Sequence, residues 1–337
     1  MELDEKREDE NKMEITYSGD KPEFLMLVGL PGSGKSTYIR KYFNQNLRVH
    51  SSDDIREELS GDVNNQDINK QVFEVLHKRV KEDLRNGISC VYDATNISYK
   101  RRKAFLEELN SIDCWKVCHI IATPFEVCLE QNNKRDRKVP YEVIKRMYMN
   151  FDIPWWNEGW DDIEVWYEDK DYKSAYGSWT EFIEDTRDIV QDSKWHTETL
   201  GMHCNKCCEY VKEREDKVTA LIWNELRVAS ALHDCGKPFT QTYKDSKGND
   251  SEYAHYYNHE NVGSYNSLFY CDDKDEYYDK LSVAALIRWH MVLHFFKDWE
   301  QKTIDKYERE FTEHRFLKEM EFYKALKLLN EGDKNAH

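Results

Sequence analysis

The stretch Gly29-Leu30-Pro31-Gly32-Ser33-Gly34-Lys35-Ser36 constrains this chain more than any other. It fits the pattern G-x4-G-K-[S/T], and the apolar run Phe24-Leu25-Met26-Leu27-Val28 before it has the length and composition of a buried parallel strand. Thr37 to Phe43 reads as the start of a helix. Strand, glycine loop and helix N-terminus together make a phosphate cradle. Backbone N–H groups across Gly29, Gly32, Ser33, Gly34 and Thr37 converge on the phosphates, Lys35 reaches the β/γ oxygens, and the Ser36 hydroxyl ligates Mg²⁺. The competing reading is a glycine-rich turn that binds nothing. The Lys-Ser pair and the preceding strand favour a site for ATP or another nucleoside triphosphate.

Composition narrows the setting. A chain of 337 residues can hold two domains, each with its own core. No segment approaches the ~18 apolar residues of a membrane span, and the acidic N-terminus is unlike a signal peptide, so a cytoplasmic protein without a membrane partner is expected. Nine cysteines are an odd number, and Cys90, Cys114 and Cys118 lie in apolar runs, as reduced core thiols do. A formal charge of −16 argues against non-specific coating of nucleic acid, though not against a local basic groove. Residues 1–20 carry eight acids against three bases, and 1–22 reads as an acidic, disordered tail. Two basic clusters remain, Lys100-Arg101-Arg102-Lys103 and Lys134-Arg135-Asp136-Arg137-Lys138. Either could be a solvated helix face.

Two halves follow different periodicities. From Phe24 to about Glu168, strand-like runs (Leu47–His50, Ile88–Tyr92, Trp115–Ile121) alternate with amphipathic stretches (Ile68–Leu84, Arg102–Leu109). That alternation predicts βαβ units, hence an α/β domain over 23–168 with a parallel sheet and helices on both faces. The charged, aromatic segment after Trp166 predicts a linker over 169–185. Beyond it, helical patterns over Trp195–Glu213, Val218–Leu232, Asn258–Tyr270, Leu281–His294 and Lys302–Leu329 predict an all-α domain over 186–330.

In the first half, Ser52-Asp53-Asp54-Ile55-Arg56 follows the second strand and Asp93-Ala94-Thr95-Asn96 ends the third, where loops at the carboxyl edge of a parallel sheet line a site. One carboxylate there can take the proton of an attacking hydroxyl, and another can order water around Mg²⁺. A helix N-cap is the competing role for Asp53 and for Asp93. Arg135 and Arg137, before Val139-Pro140, can close over a triphosphate and neutralise charge during transfer. These blocks, with Asn133-Lys134-Arg135, resemble in order and spacing the bacteriophage-type 5′-hydroxyl polynucleotide kinases, over about residues 23–150. The resemblance implies that Asp53 is the general base on the 5′-OH, Arg56 contacts the phosphate flanking it, and Arg135 is the lid arginine. Pro154-Trp155-Trp156 and Trp160 could stack on bases; packing is the more usual use of large aromatics.

In the second half, His233-Asp234-Cys235-Gly236-Lys237 follows an apolar helix, His203 lies on a helix upstream, and His255, His259 and His290 follow. Imidazoles beside a carboxylate suit a divalent ion with ligands gathered from several helices. This pattern, with Tyr257-Asn258-His259-Glu260, resembles the HD superfamily of metal-dependent phosphohydrolases over about 190–300, in the variant fused to transfer-RNA nucleotidyltransferases. The resemblance implies that His203, His233 and Asp234 are metal ligands and that Lys237 holds a substrate phosphate. His255, His259 and His290 would serve a second metal or the phosphate pocket. For the superfamily's last Asp, Asp298 and His290 compete. Cys204, Cys207 and Cys208 beside His203 cannot converge with it tetrahedrally on zinc from one helix.

Taken together, the two resemblances imply a bifunctional end-healing enzyme acting on RNA or DNA ends. It would pair an ATP- and Mg²⁺-dependent 5′-OH kinase with a phosphohydrolase of 2′,3′-cyclic, 2′- or 3′-phosphate that uses Mn²⁺, Co²⁺, Ni²⁺ or a similar ion, and a separate nucleic-acid ligase would complete the repair. The chain resembles bacterial enzymes that combine the same modules with the HD module first; here it comes second. Two alternatives stay open: a nucleoside or small-molecule kinase fused to a nucleotidase, and a kinase carrying a non-catalytic RNA-binding HD module.

Overall fold

Two compact units make up the chain in the computed structural model, which describes residues 21–43, 47–194, 197–272, 277–312 and 317–336. Most of the expected acidic tail, and the first two residues of the helix expected from Trp195, lie outside the described residues. The first unit contains everything up to Ile144 together with Glu158–Glu168; the second contains Lys145–Asn157 and everything from Asp169 onward.

The first unit is a five-stranded parallel sheet in the order β2-β3-β1-β4-β5, formed by β1 (Glu23–Val28), β2 (Arg48–Ser51), β3 (Cys90–Asp93), β4 (Trp115–Ile121) and β5 (Asp162–Trp166). The apolar run of β1 is buried along almost its whole length, as a central strand with neighbours on both sides must be. Helices α1 (Lys35–Tyr42), α2 (Ser52–Ser60), α3 (Asn69–Arg85), α4 (Tyr99–Leu109) and α5 (Phe125–Asn133) make the crossovers. Leu25, Leu27, Val91, Val117 and Ile121 pack with Tyr38 of α1 into one apolar cluster.

Two expectations for this half change. The fifth strand, Asp162–Trp166, alternates charged and apolar residues at the sheet edge and gives no apolar run to read. Within the basic cluster at 100–103, Arg102 is not on a solvated face. It is buried and forms a two-pronged ion pair with Glu158, each bond 2.7 Å, and Trp160 donates to the same carboxylate at 3.2 Å. Trp155 and Trp160 are buried in packing, with none of their rings laid open for stacking.

The second unit is built on α7 (Trp179–Asp185), α8 (Leu200–Lys212), α9 (Ala220–Leu232), α11 (His259–Asn266), α12 (Lys280–Trp289), α14 (Gln301–Thr312) and α15 (Leu317–Asn335), with short α10 (Lys237–Thr240) and α13 (Val292–Phe295) between them. Helix α6 (Tyr141–Met149) carries the chain from one unit to the other. Helix α9 is the hub, packing against α8, α12 and α15.

Three corrections follow. The segment 169–185 is folded, not a linker: Ser178 and Glu181 form a reciprocal capping box, and α7 buries Trp179, Phe182 and Ile183. The unit is not all-α, because β6 (Thr242–Lys244) and β7 (Asp250–His255) form an antiparallel hairpin. Residues 145–157 also belong here rather than to the α/β unit. Asn261 of α11 donates to the Phe151 carbonyl, and Arg288 of α12 holds Asp152 at 2.7 and 3.0 Å.

Candidate functional sites of the two units

The glycine loop leaves β1 and enters α1 as its sequence dictates. Gly32 has φ of +83°, and a Cβ there would stand 2.2 Å from the Cys128 carbonyl oxygen, so only glycine fits. The loop is tied from two sides: Gly29 N–H donates to the Thr95 carbonyl, and Thr123 donates to the Ser33 carbonyl at 2.9 Å. Ser33 is fully buried, while Ser36 at the head of α1 faces solvent and Thr37 is half-buried. Lys35 donates to the Gly29 and Leu30 carbonyls, both at 2.9 Å, so it curls back over its own loop. Burial pushes the Lys35 ammonium pKa down against the pull of Asp93; burial pushes Asp93 up, with Lys35 opposing and Asp53 adding.

Asp53 sits in the first turn of α2, but Ser51 caps that helix, its Oγ accepting from the Asp53 and Asp54 amides. The Asp53 carboxylate is therefore available for other work. Oδ1 accepts from Arg56 at 2.7 Å and Oδ2 from Arg137 at 2.5 Å. Arg56 is buried and reaches Asn69 at 2.8 Å; Arg137 also binds Asn64 at 3.0 Å. Asp93 closes β3 and caps no helix. Arg135 is exposed in the loop after α5.

In the second unit six buried side chains form two candidate ligand sets, His203–His233–Asp333 and Asp234–His259–His290, the three donor atoms of each set lying within 4.8 Å of one another. Asp234 connects them. Its Oδ2 lies 3.3 Å from His203 Nε2 and 3.4 Å from His233 Nε2, and its Oδ1 lies 3.3 Å from His259 Nε2. His233, His259 and His290 each place Nδ1 against the carbonyl three residues before it (Ser230, Tyr256, Ile287), at 2.9, 2.8 and 2.6 Å. A carbonyl can only accept, so each Nδ1 carries the proton and each Nε2 turns its lone pair into the cluster. His203 and His233 bring their Nε2 atoms to 3.1 Å, and His259 and His290 to 3.4 Å. Facing lone pairs beside two carboxylates fit a cation between them. Burial opposes charging of His203, but Asp234 and Asp333 outweigh it and raise its pKa to about 9. His290, buried and facing His259 and His233, falls to about 3. Both carboxyls are held well below the ordinary range; burial opposes this, and Lys237 with the imidazoles overcomes it at Asp234, the imidazoles alone at Asp333.

Gly236 lets the sets meet. A Cβ there would stand 2.1 Å from the His259 carbonyl oxygen, so the glycine after His233-Asp234-Cys235 is where α11 comes close.

Three expectations shift. The carboxylate grouped with His203 and His233 is Asp333, in the final turn of α15 and beyond the 186–330 boundary; Asp298 ends an exposed 3-10 turn outside both sets. His290 sits with the second set, one of the two places expected for it. His255 joins neither, because strand alternation turns Ala254 inward and leaves His255 bonded to Ser251 at 3.0 Å and stacked on Tyr257. Lys237 is buried with its ammonium on Asp234 at 2.6 Å and Gln191 at 2.7 Å, which makes it a brace for a ligand as it stands. Cys204, Cys207 and Cys208 are buried free thiols whose pKa burial raises.

Comparison with known proteins bears on the first unit. Residues 24–154 match the family model described as "AAA domain". The L-seryl-tRNA(Sec) kinase of Methanococcus maripaludis is 29% identical over 185 residues, 50% of this chain and 69% of that protein. A protein of Acanthamoeba polyphaga mimivirus named "Putative bifunctional polynucleotide phosphatase/kinase" is 28% identical over 157 residues, 43% of this chain; the match spans only 33% of the viral protein. A chain of the Pnkp1/Rnl/Hen1 RNA repair complex superposes with a TM-score of 0.34 at 21% identity, covering 39% of this chain and 44% of that one. No helix among the described residues is long and apolar enough to cross a membrane. The N-terminal unit is a P-loop kinase-like domain, and a helical unit with a convergent His/Asp cluster follows it.

Proposed function

We propose that the chain is a bifunctional nucleic-acid end-healing enzyme, an ATP-dependent 5′-hydroxyl kinase in the first unit and a metal-dependent phosphoesterase of the HD type in the second. The observation that carries the pairing is the double ligand set centred on Asp234, which gives a kinase-like chain a second site suited to phosphate esters.

In the kinase site, the loop amides and Lys35 would cradle the β- and γ-phosphates, and Ser36 and Asp93 would hold the Mg²⁺ that neutralises them. Asp53 takes the proton of the acceptor hydroxyl. Arg56, fixed by Asn69, orients that carboxylate, and Arg135 and Arg137 supply cations over the triphosphate.

In the helical unit, His203, His233, Asp333, Asp234, His259 and His290 would hold divalent ions of the Mn²⁺, Co²⁺ or Ni²⁺ kind. Such an ion, when bound, acidifies water and polarises a phosphoryl group. The chain's own part is to fix three Nε2 lone pairs by main-chain bonds, to span both sets with Asp234, and to brace Asp234 with Lys237.

The identity to a seryl-tRNA kinase favours a second reading for the acceptor, a hydroxyl carried on an aminoacylated tRNA. One experiment separates the readings. The protein is incubated with labelled ATP and Mg²⁺ beside a 5′-OH RNA oligomer, a free nucleoside and seryl-tRNA, then with 2′,3′-cyclic and 3′-phosphate ends and Mn²⁺. Label on the oligomer together with phosphate release supports end healing. Label on seryl-tRNA alone supports the second reading, and label on the nucleoside alone defeats both.

A further inference from the structure

We infer that His294 is a positioning residue of the helical unit's ligand cluster, holding Asp333 so that one carboxylate oxygen is presented to His203 and His233. The inference rests on the metal-centre reading above and extends it to a side chain outside both ligand sets.

The two oxygens of Asp333 have separate partners. Oδ1 lies 3.1 Å from His203 Nε2 and 3.7 Å from His233 Nε2, inside the cluster. Oδ2 lies 2.8 Å from Nε2 of His294, a residue of neither set. A carboxylate with one oxygen pinned can no longer rotate, so Oδ1 has a single direction left to it. Asp333 is buried, and no other polar side chain is seen on Oδ2 among the described residues, so His294 fixes that rotation. His294 is not itself a ligand, because its Nε2 is spent on Oδ2. Its place in the chain strengthens the case. His290 is a member of the second set, and the backbone stays helical from His290 through Met291 into α13, which carries His294. One short stretch therefore supplies a ligand to one set and the support of a ligand to the other. Partners of this kind typically change metal affinity by about 10–100-fold when removed.

The test uses the full-length protein, stripped and reloaded with Mn²⁺, with metal content measured by elemental analysis and affinity by chelator competition. His294→Phe keeps the ring and removes the donor; His294→Gln restores an N–H at about the same reach. We expect His294→Phe to weaken one metal equivalent by about 10–100-fold while the other is retained, and His294→Gln to recover most of the loss. Apoprotein thermal unfolding checks the fold. If His294→Phe does not fold, His294→Asn, one methylene short, should lose the equivalent that His294→Gln keeps. Equal losses in the Phe and Gln variants, or in the Asn and Gln variants, would assign His294 to packing and overturn the inference. So would parental affinity in His294→Phe while Asp333→Ala loses metal, an outcome that leaves the metal centre standing. Full metal content in both Asp333→Ala and His233→Ala would overturn the metal centre and the inference with it.

Discussion

Arg137 closes on Asp53 from outside the helix that carries it, its guanidinium 2.5 Å from the carboxylate oxygen that Arg56 leaves open. Each carboxylate oxygen thus carries one arginine bond and keeps a further lone pair that can take a proton. Arg56 is buried and anchored on Asn69, whereas Arg137 stands on the loop that follows α5 and is half-buried. In the proposed kinase reaction a bound triphosphate would compete with Asp53 for Arg137.

Asp53→Asn should bind ATP as the parent does and lose phosphoryl transfer by about 10²–10⁴-fold, since an amide takes no proton. Arg137→Ala should raise KM for ATP. Transfer by Asp53→Asn at near the parental rate would remove Asp53 from the reaction.

Lys35→Ala should cut ATP-dependent transfer by about 10²-fold or more, through loss of a cation aimed at the transferring phosphoryl group. Metal content of the helical unit, read by elemental analysis, should not change. Metal lost together with transfer would mean that the substitution unfolds more than its own loop.

For the cluster, Asp333→Ala should lose bound metal and phosphate release, while Asp298→Ala should retain both. The two residues are both late aspartates, but only Asp333 reaches the imidazoles. A phosphate-release assay beside metal analysis decides between them.

Arg102→Ala should destabilise the first unit by about 3–5 kcal/mol, because it strands the Glu158 carboxylate in the core. Urea denaturation followed by tryptophan fluorescence reads this through buried Trp160. A loss under about 1 kcal/mol would mean that water reaches the site in solution.

Two buried groups of the first unit give its stability opposing pH trends that largely offset each other between about pH 4.5 and 6.5. Burial, with Glu164 and Asp162 adding, raises the Glu23 carboxyl from 4.5 to about 7. The folded state then holds more protons than the unfolded between those values, and stability falls as pH rises through them. Burial lowers His119 from 6.5 to about 4, so stability also falls as pH drops through that window. Glu23→Gln should therefore raise the Tm at pH 7.5 and leave it unchanged at pH 4.5, as a thermal melt at each pH would show.

Where a local pattern carried the information, the sequence could be read. Trp115–Ile121 was legible to the residue as a strand because Val117, Cys118, Ile120 and Ile121 make it mostly apolar, as a buried interior strand requires. Its edge neighbour Asp162–Trp166 was not, since Asp162 and Glu164 break up its apolar residues and only Ile163 is buried. The hairpin before His259 is charged on both strands and carries no clean alternation. In the cluster, His203, His233 and Asp234 were singled out by residue type together with the resemblance to the HD superfamily. Asp333 was not, because helix α15 delivers it by packing against α8 and α9, a long-range contact that no local spacing encodes. Arg102 misled for a related reason: a cation in a basic run looks solvated until its partner arrives from another element.

The histidines and the carboxylates of the cluster are held by different kinds of partner. His233, His259 and His290 lean on carbonyl oxygens, which every amino acid supplies and which no substitution at Ser230, Tyr256 or Ile287 can delete. Asp234 and Asp333 lean on the side chains of Lys237 and His294, which a single codon change can remove. Sequence drift can thus reach the charged half of the site without disturbing the imidazole frame. In the proposed metal centre, a lineage could retune which ion is held, and how tightly, while the fold around it stays as it is.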